Sequence, residues 1–107
     1  MIDAEEAKQA LVKIEGFALD HPYQPLKLEF AEGDSYLCTF ITDDWDDNNK
    51  DIDDPKYDEW FTLIFKVNKI LIAGPNKDPR YQGISISKMM MPSLVTCKGE
   101  VVYRQEQ

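Results

Sequence analysis

Residues 26–42 read LKLEFAEGDSYLCTFIT, and the fold turns on their period. Leu26, Leu28 and Phe30 alternate with Lys27, Glu29 and Ala31, the pattern of an extended strand with one buried face. Glu32-Gly33-Asp34 is a turn signal whose shortness favours an antiparallel hairpin. Ser35–Thr42 resumes the alternation, with Tyr36, Cys38 and Phe40 on one face and Leu37, Thr39 and Ile41 on the other. Both faces of this second strand carry apolar groups, as a central strand requires.

Upstream the period changes. Ala7, Ala10, Leu11, Ile14, Phe17 and Ala18 recur at spacings of three and four, which predicts an amphipathic helix over residues 3–19. Asp3 is its expected N-cap, Glu6 completes a capping-box pattern, and Glu5 and Glu6 suit the positive end of the helix dipole. Gly16 is a candidate early stop, and His21-Pro22 a certain one, because proline cannot continue the ladder. Downstream, WFTLIFKV (residues 60–67) is the most apolar run and reads as a strand. Asn68-Lys69 reads as a tight turn into a further strand over residues 69–73, and Ile84 and Ile86 mark another. Val95–Tyr103 reads as a terminal hairpin turning at Lys98-Gly99, with a short helix from Pro92 as the alternative. The expected fold is therefore a single α+β domain over residues 1–107, with an N-terminal helix on a mainly antiparallel sheet of five to seven strands.

Between the strands lies DDWDDNNKDIDDPKYDE, residues 43–59. It holds nine acidic residues and two lysines, a net −7 out of the chain's −8. With almost no aliphatic residues it is expected to be a long acidic loop, of a length that in compact domains is usually functional or disordered. Charge so concentrated concerns partners more than fold. It argues for a basic protein partner and against direct nucleic-acid binding, since phosphates would be repelled. Trp45 and Tyr57 lie within it, and tryptophan and tyrosine dominate interface hot spots. Trp60, at the start of a strand, fits the core as well as an interface.

Catalytic and metal-binding patterns fare poorly. An EF-hand frame from Asp44 puts Pro55 where the bidentate glutamate belongs, and a frame from Asp47 puts Ile52 at the glycine position. One histidine, His21, and two distant cysteines, Cys38 and Cys97, give neither a tetrahedral zinc pattern nor a nucleophile–base pair. Both cysteines sit in alternating apolar runs and are expected to be buried free thiols. GPNKDPRYQG (residues 74–83) lacks the spacing of a phosphate cradle. The expectation is a non-enzyme without a cofactor. The acidic start MIDAEEAKQ lacks the features of a secretory signal, and no apolar run approaches membrane-spanning length, so a cytoplasmic location without membrane association is expected.

Small size, acidity and the DDWDDNNKDIDDPKYDE segment together resemble the immunity proteins of bacterial toxin–immunity pairs, of the contact-dependent growth-inhibition and bacteriocin types. The resemblance implies a mechanism and no particular fold: binding and neutralising a cognate cytosolic toxin, such as a nuclease. Asp43, Asp44, Asp46, Asp47, Asp51, Asp53, Asp54 and Asp58 would then face lysines and arginines, with Trp45 or Tyr57 inserted among them. The same acidity is compatible with a nucleic-acid-mimicking inhibitor of a DNA-binding protein, a divalent-cation-binding domain, or an accessory subunit.

Overall fold

The alternation in residues 26–42 is expressed as two paired strands from which the sheet grows. A computed structural model of the chain describes residues 3–78 and 80–105. Helix α1 (Ala4–Asp20) precedes strands β1 (Leu26–Glu29), β2 (Ser35–Asp47), β3 (Glu59–Ile72), β4 (Gly83–Ile86), β5 (Leu94–Cys97) and β6 (Glu100–Arg104). The strand order is β4-β3-β2-β1-β5-β6, with every neighbouring pair antiparallel. This is the α+β architecture the sequence predicts.

Local chemistry sets the element ends. Asp3 caps α1, its Oδ1 accepting from the Glu6 amide at 2.8 Å. Gly16 does not stop the helix, which continues to Asp20. The His21 amide donates to the Phe17 carbonyl, and the imidazole stacks on the Phe17 ring with centroids 4.0 Å apart, so the histidine closes the helix. The β5–β6 hairpin turns at Lys98-Gly99, whose φ angles of 52° and 81° are those a type I′ turn demands.

The helix stripe of Leu11, Ile14 and Ala18 packs on the inner face of the sheet, against Leu28, Cys38, Leu63, Phe65, Ile86 and Val95. Both cysteines are free and buried within this layer, and burial pushes the Cys38 thiol up to about 12. The outer face is mixed. Cross-strand partners share a face, so Lys27 stands beside Thr96 and Leu37, Lys66 opposite Thr39, and Ser85 opposite Ile64.

Two expectations are corrected. Asn68-Lys69 is not a turn. β3 runs unbroken to Ile72, with register shifts along its pairing to Ser35–Cys38, and the Asn68 Nδ2 donates to Thr39 Oγ1 at 2.6 Å. Nor is residues 43–59 one long loop. β2 continues through Asp47 and β3 begins at Glu59, leaving residues 48–58 as the connection. β2 and β3 therefore overhang their neighbours. β4 pairs only with Leu63–Lys66, and β1 only with Ser35–Cys38, so the acidic end is a two-stranded ribbon.

Candidate functional site

A ribbon rich in aspartate needs something to hold it. In the register of β2 on β3, Asp43 faces Leu63, Asp44 faces Thr62 and Asp46 faces Trp60, so carboxylates oppose uncharged residues. Only Asp47, opposite Glu59 at the mouth of the connection, faces a like charge, the arrangement that destabilises a strand pair. Trp45 lies opposite Phe61 with ring centroids 5.6 Å apart, and it leans toward the first turns of α1, where Lys8 Nζ sits 5.9 Å from its ring centre. Aromatic contact and helix packing substitute for a third strand.

A register shift between Phe40 and Thr42 decides which acids point where. Strict alternation from Tyr36, Cys38 and Phe40 would turn Thr42, Asp44 and Asp46 inward. The extra residue, Ile41, reverses the parity. Asp43, Trp45 and Asp47 consequently share the helix-facing side with Leu63 and Phe61, while Asp44 and Asp46 occupy the opposite side. Trp45 remains half exposed, at 54%.

The connection is locally ordered by its own side chains. Asn48 acts as the clamp: its amide donates to the Asp58 carbonyl, its Nδ2 to the Lys56 carbonyl at 2.8 Å, and its Oδ1 accepts from the Asp58 amide. Asp47 accepts from the Asn49 amide at 2.7 Å and Asp54 from the Lys56 amide at 2.8 Å, both Asx-type turns. Tyr57 donates its hydroxyl to Glu59 at 3.0 Å, which raises the phenol above its ordinary value. Asp58 pairs with Lys88, whose Nζ is 2.5 Å from Oδ2 and 5.4 Å from the Trp60 ring centre. Asp51 and Asp53 are exposed.

No protein-family model matches the chain, and no curated protein or solved structure is significantly similar to it.

The ten residues singled out from sequence do not form one patch. Asp43, Trp45 and Asp47 face the helix, Asp44 and Asp46 face away, and Asp51, Asp53, Asp54, Tyr57 and Asp58 lie in the connection. Four residues that the sequence did not mark belong with them: Lys8, Glu15, Phe61 and Lys88. The ribbon register reveals Phe61; the other three are brought in by tertiary packing, for which local sequence carries no signal. Trp60, whose sequence position fits core and interface alike, is partly buried, with Lys88 over its ring.

A cleft of about 170 Å3 opens here, between Ala4, Ala7 and Leu11 of the helix and Trp45, Trp60 and Phe61 of the ribbon. Among the described residues, no three His, Cys, Asp or Glu side chains converge as a metal site would require. No helix among them is long and apolar enough to cross a membrane.

One carboxyl pair is shared between the helix and the ribbon. Burial first, and then the hydrogen bond and charge of Asp43, push Glu15 up to about 7. A carboxyl raised from its ordinary 4.5 contributes stability that is complete below that value and lost as pH rises through about 7. Glu15→Gln keeps a donor for Asp43 without the charge. Parent and variant should be nearly equal in stability near pH 4, and the variant more stable by ~1–2 kcal/mol near pH 8.5, measured by urea unfolding at both pH values. Equal stability at both pH values would show that neither burial nor Asp43 raises the Glu15 carboxyl.

Proposed function

We propose that this protein binds a basic protein partner through its acidic ribbon, and that it serves as an immunity protein neutralising a cognate toxin in the cytoplasm. One observation carries the reading: Asp43, Asp44, Asp46 and Asp47 are held on a hydrogen-bonded ribbon, with Asp43 and Asp47 flanking a half-exposed Trp45 on one side and Asp44 and Asp46 on the other. A solvated loop kept only for solubility needs neither the register nor the aromatic contact. An ordered ribbon lowers the entropy cost of binding, since its side chains and backbone are already placed. A toxin with a basic substrate cleft, such as a nuclease, has the complementary field. The site works by steering and gripping and performs no chemistry of its own.

Nucleic-acid mimicry gains from the same ordering. Asp44 and Asp46 lie two residues apart on one face of a strand, ~7 Å along it, a regular spacing of negative charge. A mimic would compete with DNA for its partner.

The two readings separate in one experiment. The tagged protein is incubated at low salt with extract of its native host, and retained proteins are eluted by a salt gradient. The immunity reading expects one basic protein, held in equal amount and released only at high salt or in denaturant, whose toxicity this protein suppresses on co-expression. A set of DNA-binding proteins eluting together at moderate salt and displaced by DNA would replace it with mimicry. An empty eluate would remove both.

A further inference from the structure

The cleft between α1 and the ribbon has a size and lining that specify an occupant. Its ~170 Å3 is close to the ~150 Å3 of a cavity that admits one benzene, and well below the ~300–1,000 Å3 of a site for a cofactor or drug-sized molecule. It therefore accommodates a single side chain. Trp45 and Phe61 line it from the helix-facing side, Trp60 lines its edge under Lys88, and Glu5, Asp58 and Glu59 bring three carboxylates to it. Aromatic faces with carboxylates nearby select a cation on an apolar stem.

The molecule already places cations there. Lys8 stands 5.9 Å from the Trp45 ring centre and Lys88 5.4 Å from that of Trp60, the latter also held by Asp58 at 2.5 Å. Each is a lysine, whose compact ammonium makes a weaker planar contact than a guanidinium, which stacks on an indole and grips a carboxylate with two N–H groups.

The geometry points to an anchor pocket for one arginine of the basic partner, with Lys88 as an internal placeholder that the arginine displaces from Trp60 and Asp58. This rests on the reading of the ribbon as a surface for basic proteins and deepens it. The acids of the ribbon's outer side and turn supply a diffuse field, whereas the cleft supplies one defined contact. Displacement breaks the Lys88–Asp58 ion pair and the Lys88–Trp60 contact, and the cost of breaking them is what Lys88→Met removes.

The chain has two tryptophans, both lining the cleft, so its two indole N–H signals in a proton–nitrogen correlation spectrum report on residues that line it. The probe is a peptide, acetyl-Gly-Gly-Arg-Gly-Gly-amide, with citrulline and norleucine versions as controls of similar length and no charge. The arginine peptide should shift both indole signals saturably, and the controls should bind at least tenfold more weakly. Lys88→Met should tighten arginine binding about three- to tenfold by removing the competitor, while Trp60→Phe should weaken it.

Equal binding of norleucine would make the cleft an apolar slot and overturn the assignment. So would unmoved indole signals, or an affinity indifferent to Lys88→Met. The parent reading fails separately: it falls if the host extract yields no basic partner, whatever the peptide does. A retained partner whose binding is insensitive to Lys88→Met and Trp60→Phe would leave the ribbon's field standing without the pocket.

Discussion

Gly74→Ala is expected to lower the stability of this protein by ~3 kcal/mol and its Tm by more than about 10 °C, although the residue is exposed and outside every strand. The reason is its neighbour. A Cβ at Gly74 would lie 2.4 Å from the Cβ of Asp34 and 2.8 Å from its Cγ, distances at which something must move. Asp34 Cβ is fixed to the backbone of the β1–β2 turn, so relief requires moving that turn or the loop after β3. Either motion strips donors from a buried carboxylate. Asp34 is 1% exposed, and it accepts from the Tyr36 hydroxyl at 2.5 Å, from the Asn76 amide at 3.0 Å and from Asn76 Nδ2 at 3.0 Å.

Burial alone would raise the Asp34 carboxyl, but these donors outweigh it and hold the group below its ordinary value. The sign follows. A depressed carboxyl contributes stability above its unfolded pKa, and that contribution is lost as pH falls through the lower folded value. The deficit of Gly74→Ala should therefore be largest at neutral pH and shrink in acid, as urea titrations near pH 7 and pH 3 would register. Gly16→Ala is the control of opposite sign. Nothing lies within 4 Å of its added Cβ, and alanine in a helix interior should gain ~0.5–1 kcal/mol. An unchanged Tm for Gly74→Ala would mean that the loop yields without disturbing Asp34.

This lock could not be read from the sequence, because Asp34 and Gly74 are forty residues apart and look like two ordinary turn residues. What was legible had a local cause. The Asp3 cap, the helix stripe through Leu11 and Ile14, the alternation of β1 and β2 and the Lys98-Gly99 hairpin are each fixed by residues within a few positions of one another. Asn68-Lys69 misleads because it has the composition of a turn, while Leu37 and Thr39 across the ladder keep it extended. The acids of β2 mislead in the same direction. Aspartate is a poor strand former alone, yet Asp43, Asp44 and Asp46 borrow order from Leu63, Thr62 and Trp60 of β3, which they face. The bulge at Ile41, which assigns Asp43 to the helix side and Asp44 to the other, depends on how two strands of unequal demand are matched, and no single strand announces it.

The division into two sides predicts what neutralising the ribbon will do. Replacing Asp44, Asp46, Asp51 and Asp53 together by asparagine removes four of the segment's seven net negative charges. All four side chains are exposed, and the bonds that Asp44 and Asp46 accept from the Trp45 and Asp47 amides go to a side-chain oxygen that asparagine also has. The fold should persist, with an unchanged unfolding midpoint. Association with the proposed basic partner should slow ~10–100-fold at low salt, because acids of the outer side and turn act through the long-range field. Dissociation should change little, and the dependence of the association rate on salt should flatten, since at 0.15 M the screening length is already about 8 Å. Trp45→Ala should do the reverse, leaving the association rate and its salt slope nearly intact while dissociation accelerates, because a half-buried aromatic side chain acts only after contact. Stopped-flow association at low and physiological salt, with both variants, separates the two roles. If the fourfold variant associates at the parent rate, the ribbon's charge does not guide the encounter, and the acidic segment drops out of the mechanism.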